Sequence, residues 1–132
     1  MRSKHWLALG GVVCGLGVAL GAFAAHGLKK ILSPYLIEVF STGVQYQFIH
    51  GIAILLCGAL LGQKLPLKSQ KYFSLAAVCF IIGILCFSGS LYALALTGIK
   101  WFGPITPFGG ATFMLGWGLF VYAALQVKEV NQ

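Results

Sequence analysis

Charge is what this chain has least of. Nine of its 132 residues are Lys or Arg and two are Asp or Glu, so charged side chains make up 8% of the sequence. A water-soluble domain devotes roughly a quarter of its residues to charge to build a solvated shell, so water is excluded as the main solvent here. No charged residue interrupts Trp6–Ala25, Ser41–Leu61, Tyr72–Leu96 or Ile105–Val127. These runs also lack polar–apolar alternation, which excludes a transmembrane barrel. Metal-ligand cysteine spacing is missing as well. Cys14, Cys57, Cys79 and Cys86 form no C-x-x-C pair, and an isolated Cys in an apolar helix behaves as a small hydrophobe. The sequence therefore implies no metal and no cofactor. The net charge of +7 is scattered over short loops rather than gathered in one patch, which excludes a nucleic-acid partner.

What remains is 59% hydrophobic. Each uncharged run holds roughly 20 to 25 residues, enough to cross about 30 Å of hydrocarbon at about 1.5 Å per residue. The fold class implied is an all-α membrane protein, a four-transmembrane-helix bundle forming a single domain over 1–132. Its helices are expected at about 6–26, 41–62, 72–97 and 106–127, with the lipid bilayer as surroundings. Arg2 and Lys4 precede an apolar run ending in Ala22-Phe23-Ala24, which resembles a secretory signal. The run is longer than a signal core, so it reads as the first helix. Four crossings put Arg2, Lys4, Lys64, Lys68, Lys71 and Lys128 on one side and Lys29, Lys30 and Lys100 on the other. This bias predicts a multi-pass protein with both termini in the cytoplasm.

Local signals refine the helix ends. In LKKILSPYLIEVF, residues 28–40, apolar side chains recur at three- and four-residue steps. Ser33-Pro34 has the form of an N-cap followed by proline at the first helical position. Together these predict a short interfacial amphipathic helix at about 34–40, bending into the second span near Gly43. His26-Gly27 predicts a left-handed glycine cap with His26 beside the open carbonyls. Thr106-Pro107 predicts a capped start for the fourth span. Gly11/Gly15 and Gly17/Gly21 are i, i+4 pairs that allow close helix packing in lipid, and Gly89, Gly109 and Gly110 mark further packing positions.

The most informative pattern is where the polar residues fall. VQYQFIHG, residues 44–51, places Gln45, Tyr46, Gln47 and His50 within about one and a half turns. If the second span enters at Ser41, Gln45 lies about 6 Å and His50 about 14 Å below the outer face. Ser88, Ser90 and Tyr92 in the third span and Thr106 and Thr112 in the fourth map to the same outer half, with His26 and Glu38 at its rim. An unpaired polar group in hydrocarbon costs several kcal/mol, so these side chains should face one another. Two arrangements satisfy this: a dry hydrogen-bond network, or an outward-facing pocket around His50. The candidate ligand-binding residues are Gln45, Tyr46, Gln47, His50, Ser88, Ser90, Tyr92, His26, Glu38 and Thr106.

Four motifs, GAFAAHGLK, YQFIHG, FSGSLYAL and ITPFGG, occur in that order along the chain. They resemble the bacterial family called domain of unknown function 423, which is related to the animal transmembrane protein 256. The resemblance implies a bacterial inner (plasma) membrane protein of four helices without an assigned activity. Its motif residues correspond here to His26, Gly27, Tyr46, Gln47, His50, Ser88, Gly89, Ser90, Tyr92, Thr106, Pro107, Gly109 and Gly110.

No nucleophile–base or acid–base pair stands at a recognisable spacing, so the chain reads as a non-enzyme. The function expected is that of a non-catalytic membrane module, engaged in assembly, lipid contact or protein interaction, with a membrane-protein partner or a second copy of itself. The alternative is a small-molecule or lipid binder or transporter using the pocket around His50. Proton-coupled exporters of similar size carry a membrane carboxylate in their first helix, and this chain has none.

Overall fold

The computed structural model describes residues 2–128. α1 spans Ser3–His26 and passes through a 3-10 turn, Leu28–Lys30, to α2, Pro34–Leu61. α3, Leu67–Gly83, continues through a π-helical turn, Ile84–Ser88, into α4, Gly89–Thr97. A second 3-10 turn, Lys100–Ile105, leads into α5, Thr106–Leu125. Four helical units are long and apolar enough to cross a membrane: Ser3–Lys30, Pro34–Leu61, Leu67–Thr97 and Lys100–Leu125. Helix is the natural answer to such runs, because it satisfies every backbone group within its own segment. The molecule is an all-α membrane protein.

Two expectations about helix ends are corrected. Residues 34–40 are not a separate interfacial helix bent at Gly43; they are the opening turns of α2. Ser33 caps this helix as expected, its Oγ accepting from the Leu36 N–H at 3.2 Å. Phe40 and Val44 then share one cluster with Ala24, Leu28 and Ala95, so a continuous packed face carries the helix unbroken through Gly43. That glycine serves packing, since a Cβ there would stand 2.6 Å from the Tyr92 ring. Gly27, in turn, is right-handed at φ −76°, and α1 runs directly into its 3-10 turn. The left-handed glycine is Gly98, at φ 69°, whose N–H reaches the Leu94 carbonyl to end α4. α1 and α3 also begin earlier than the uncharged runs, at Ser3 and Leu67, because Lys and Arg stems extend a helix past the hydrocarbon edge.

α2 packs against α3, the π turn and α4 as a central pair, while α1 lies mainly on α2 and α5 mainly on α3 and the π turn. Lipid tails are as apolar as leucine, so close packing and internal hydrogen bonds hold such a bundle together rather than water exclusion. The core divides in two. One cluster, around Trp6, Ile54, Cys57, Ala76, Phe80 and Phe113, fills the half nearer the termini. The other, around Leu28, Phe40, Val44 and Ala95, fills the opposite end. Gln47, His50, Ser88 and Tyr92 lie between them, while buried Ser69 donates to the Ala123 carbonyl at 3.0 Å at the end nearer the termini.

Candidate functional site

Buried positions on α2 recur at helical spacing: Gly43, Gln47, His50, Gly51, Ile54, Cys57 and Gly58. This stripe turns Gln47 and His50 inward, both under 5% exposed, and leaves Gln45 and Tyr46 on the flank toward α5. Gln47 ties three helices together. Its Nε2 donates to the Val13 carbonyl of α1 at 2.9 Å, and its Oε1 accepts from the Tyr92 hydroxyl of α4 at 2.6 Å.

His50 is held from three sides. Its Nδ1 lies 2.9 Å from the Tyr46 carbonyl, and its Nε2 accepts from the Trp117 indole N–H at 3.1 Å. The neutral tautomer protonated on Nδ1 satisfies both contacts at once. The ring stacks on Phe113, with centroids 3.6 Å apart and planes inclined by 9°.

The serines complete the layer. Ser88 Oγ donates to the Gly43 carbonyl at 2.7 Å, joining the π turn to α2. Ser90 Oγ lies 2.9 Å from the Phe87 carbonyl and 2.6 Å from Thr106 Oγ1. At the end of the π turn the Gly89 N–H reaches back five residues to the Ile84 carbonyl. Such turns insert one residue into an α-helix and re-aim the side chains beyond it. Among the described residues, Trp6 Nε1 is the one buried side-chain polar atom without a partner. Trp6 belongs to the other half of the core, so the polar layer satisfies itself.

The expected site is therefore split. Gln47, His50, Ser88, Ser90, Tyr92 and Thr106 form the layer, hydrogen-bonded as separate pairs; Gln47, Ser88 and Tyr92 border one small furrow, and His50 borders another hollow beside Gln45 and Tyr46. Thr106 does not cap α5 from the N-cap position; it is the first helical residue, with its hydroxyl on Ser90. Gln45 is exposed, and Tyr46 contributes its carbonyl to the layer while its ring lies 4.6 Å from that of Phe87. His26 and Glu38 are exposed outside the layer.

Between α2 and α5 lies a hollow of about 630 Å³, lined by Gln45, Tyr46, His50, Phe87, Phe113 and Trp117 among others, so it gathers three of the residues expected around a pocket at His50 but neither Ser88 nor Ser90. Trp117 and Phe113 are the partners that sequence reasoning missed. A tryptophan in mid-span, away from the interfacial belt where the residue usually sits, was the one signal that pointed to them.

The glycines also divide. A Cβ on Gly17 would meet the Phe48 ring at 3.1 Å, one on Gly21 would meet Val44 at 3.5 Å, and one on Gly110 would meet the Phe87 ring at 3.9 Å. At Gly109 it would collide with the Phe87 backbone. Gly11, Gly15 and Gly89 have nothing within 4 Å. The tightest contacts between α1 and α2 fall instead at Gly10, Gly51 and Gly58. Among the described residues, no group of three or more His, Cys, Asp or Glu side chains gathers closely enough to hold a metal ion.

Comparison with known proteins agrees with this architecture. The family model described as "Protein of unknown function (DUF423)" matches residues 20–110. A UPF0382 membrane protein of Haemophilus influenzae is 41% identical over 132 residues, covering 98% of this chain and 100% of the relative. The UPF0382 membrane protein YwdK of Bacillus subtilis is 38% identical, covering 93% of this chain and 98% of its own. The UPF0382 inner membrane protein YgdD of Escherichia coli is 34% identical, covering 98% and 95%. No solved structure matches the chain. With the family model spanning well over half of the sequence and relatives matching nearly end to end, the chain belongs to the DUF423 family of membrane proteins of unknown function.

Proposed function

We propose that the protein is a non-catalytic inner-membrane module that acts by assembly, presenting α1 to another membrane helix, with both termini in the cytoplasm. The observation that carries this reading is the closure of the polar layer. The side chains able to bind or transfer a proton in the core, His50 and Tyr92 above all, are already paired with other parts of the chain. What the module has left to offer is its surface. On α1 that surface includes Ala8, Gly11, Gly15, Ala19 and Ala22, all exposed and spaced by three or four residues. Small residues at this spacing let a second backbone approach closely in lipid.

Native mass spectrometry after mild extraction tests the reading, with the 14.1 kDa chain expected in multiples of its mass or with a partner chain. Gly11→Leu with Gly15→Leu, at positions with open space around them, should shift the population to monomer without lowering the melting temperature. A wild type that runs only as a lone monomer, with no partner chain retained, would overturn it.

The hollow between α2 and α5 favours a second reading, a small-molecule or lipid binder. Exposed Gln45 and the Tyr46 ring stand at a largely apolar recess, the form of a site for an apolar ligand with one hydrogen-bonding group. Ala111→Trp, which fills the recess from α5, should then displace a ligand retained by the wild type.

A further inference from the structure

Two polar side chains of VQYQFIHG are left over by the layer. Gln47 and His50 use their side-chain polar atoms inside the chain. Tyr46 bonds there only through its backbone carbonyl, and among the described residues neither its hydroxyl nor the Gln45 amide has a partner. Gln45 stands eleven residues into α2, about 16 Å along the axis from Pro34, beyond the reach of its own side chain to the helix start. An unpaired amide in hydrocarbon is costly, so both groups call for a partner from outside the chain.

Both stand on the wall of the hollow between α2 and α5. That hollow exists because α5 packs on α3 and the π turn rather than on α2. On α5, Pro107, Gly110, Met114 and Trp117 border it at three- and four-residue steps, which keeps it on one helical face. Gly110 and Ala111 put little side chain into the gap. Its volume of about 630 Å³ suits a small molecule, whose sites usually measure about 300–1,000 Å³.

The lining defines what fits. No Lys, Arg, Asp or Glu borders the hollow, and both ring nitrogens of His50 are engaged within the chain. A phosphate, carboxylate or ammonium group would therefore be stranded there. The rings are aligned: Tyr46 and His50 are inclined by 12°, His50 and Phe113 by 9°, and Tyr46 and Phe113 by 20°. A flat ring entering parallel to them stacks, whereas an acyl chain has no ring to align. Ile49 and Met114 are 43% and 76% exposed at its edge, so an occupant arrives from the hydrocarbon and can leave an apolar tail there.

We propose that the hollow between α2 and α5 binds a membrane quinone. Its ring stacks on Tyr46, its ring oxygens bond to the Gln45 amide and the Tyr46 hydroxyl, and its isoprenoid tail leaves past Ile49 and Met114. The oxygen of a quinone accepts a hydrogen bond and that of a quinol can also donate one. The two ends of the Gln45 amide serve both forms. This inference rests on the binder reading given above, and it leaves assembly through α1 untouched because no α1 residue lines the hollow.

The test is native mass spectrometry of the full chain released from nanodiscs. These are doped equally with a naphthoquinone bearing a geranylgeranyl tail and with geranylgeraniol, which has the same tail and a hydroxyl but no ring. One quinone per chain is expected, favoured about tenfold, the order expected for a pair of neutral hydrogen bonds. Gln45→Leu with Tyr46→Phe breaks no bond within the chain, and should bring the quinone down to the level of the alcohol at an unchanged melting temperature. Ala111→Trp should exclude both. Undiminished quinone in the Gln45/Tyr46 variant, or equal retention of quinone and alcohol by the wild type, would overturn the proposal. If the wild type instead keeps the alcohol or a phospholipid and Ala111→Trp releases it, the quinone falls and the binder reading stands. If it keeps nothing, both fall.

Discussion

Trp117 and His50 meet through a single hydrogen bond 3.1 Å long, and the pair shows how a polar side chain is tolerated in this core. Trp117→Phe keeps a ring but removes the donor, so His50 Nε2 loses its partner. A loss of about 1 kcal/mol is expected, read from thermal unfolding in detergent. His50→Ala removes both ring contacts and the stack on Phe113, and should cost about 2–3 kcal/mol. If the module is non-catalytic, that variant should change stability and leave retained ligands and growth as they were. Gln47 and Tyr92 are suited to a double-mutant cycle, using Gln47→Leu and Tyr92→Phe. Their coupling should fall at about 0.6–1.7 kcal/mol, the span known for hydrogen bonds between membrane helices; a value of zero would mean that the 2.6 Å contact contributes nothing. Gln47 and His50 were readable as unusual from the sequence because few polar residues enter the spans. Their partners were not, since a helical wheel gives the direction of Gln47 but not which neighbour stands there.

α5 depends on the absence of a side chain at Gly109, where a Cβ would overlap the Phe87 backbone, whereas Gly118 has open space around it. Gly109→Ala should therefore destabilise by about 1–3 kcal/mol through overpacking, and Gly118→Ala should be close to neutral. Equal melting temperatures for the two variants would contradict the close approach of α5 to the π turn. The four spans were legible from hydropathy alone, and Ser33-Pro34 marked the true start of α2. The π turn was not legible, because Ile84–Ser88 has the same apolar composition as the helix around it. Nor was the unbroken run of α2 through Gly43. A glycine before a polar run resembles a hinge until the Tyr92 ring is seen against it.

Across the whole molecule, the inner and outer faces of the helices are chemically alike. Leu85 and Ile82 face outward while Ile84 is buried, and a leucine against lipid has the same composition as one against protein. Hydropathy therefore located the helices without showing that α2 and α3 form the central pair. Charge carries the information on orientation. Lys64→Cys should react with a membrane-impermeant maleimide only after the cells are opened, and Lys100→Cys should react in intact cells, each compared with the parent chain. The opposite pattern would reverse the orientation. The π turn has a further consequence at this scale. It amounts to a one-residue insertion carried in the middle of a spanning helix. Deleting one residue from Ile84–Ser88 should let that helix relax to regular geometry with Tyr92 and Ser90 close to their present direction, because the π turn uses five residues for about the rotation of four. Inserting one alanine between Gly89 and Ser90 should still leave a helix that crosses the bilayer but swing both by about a quarter turn. Insertion into the membrane and locking of the bundle would then come apart, separated by a single codon.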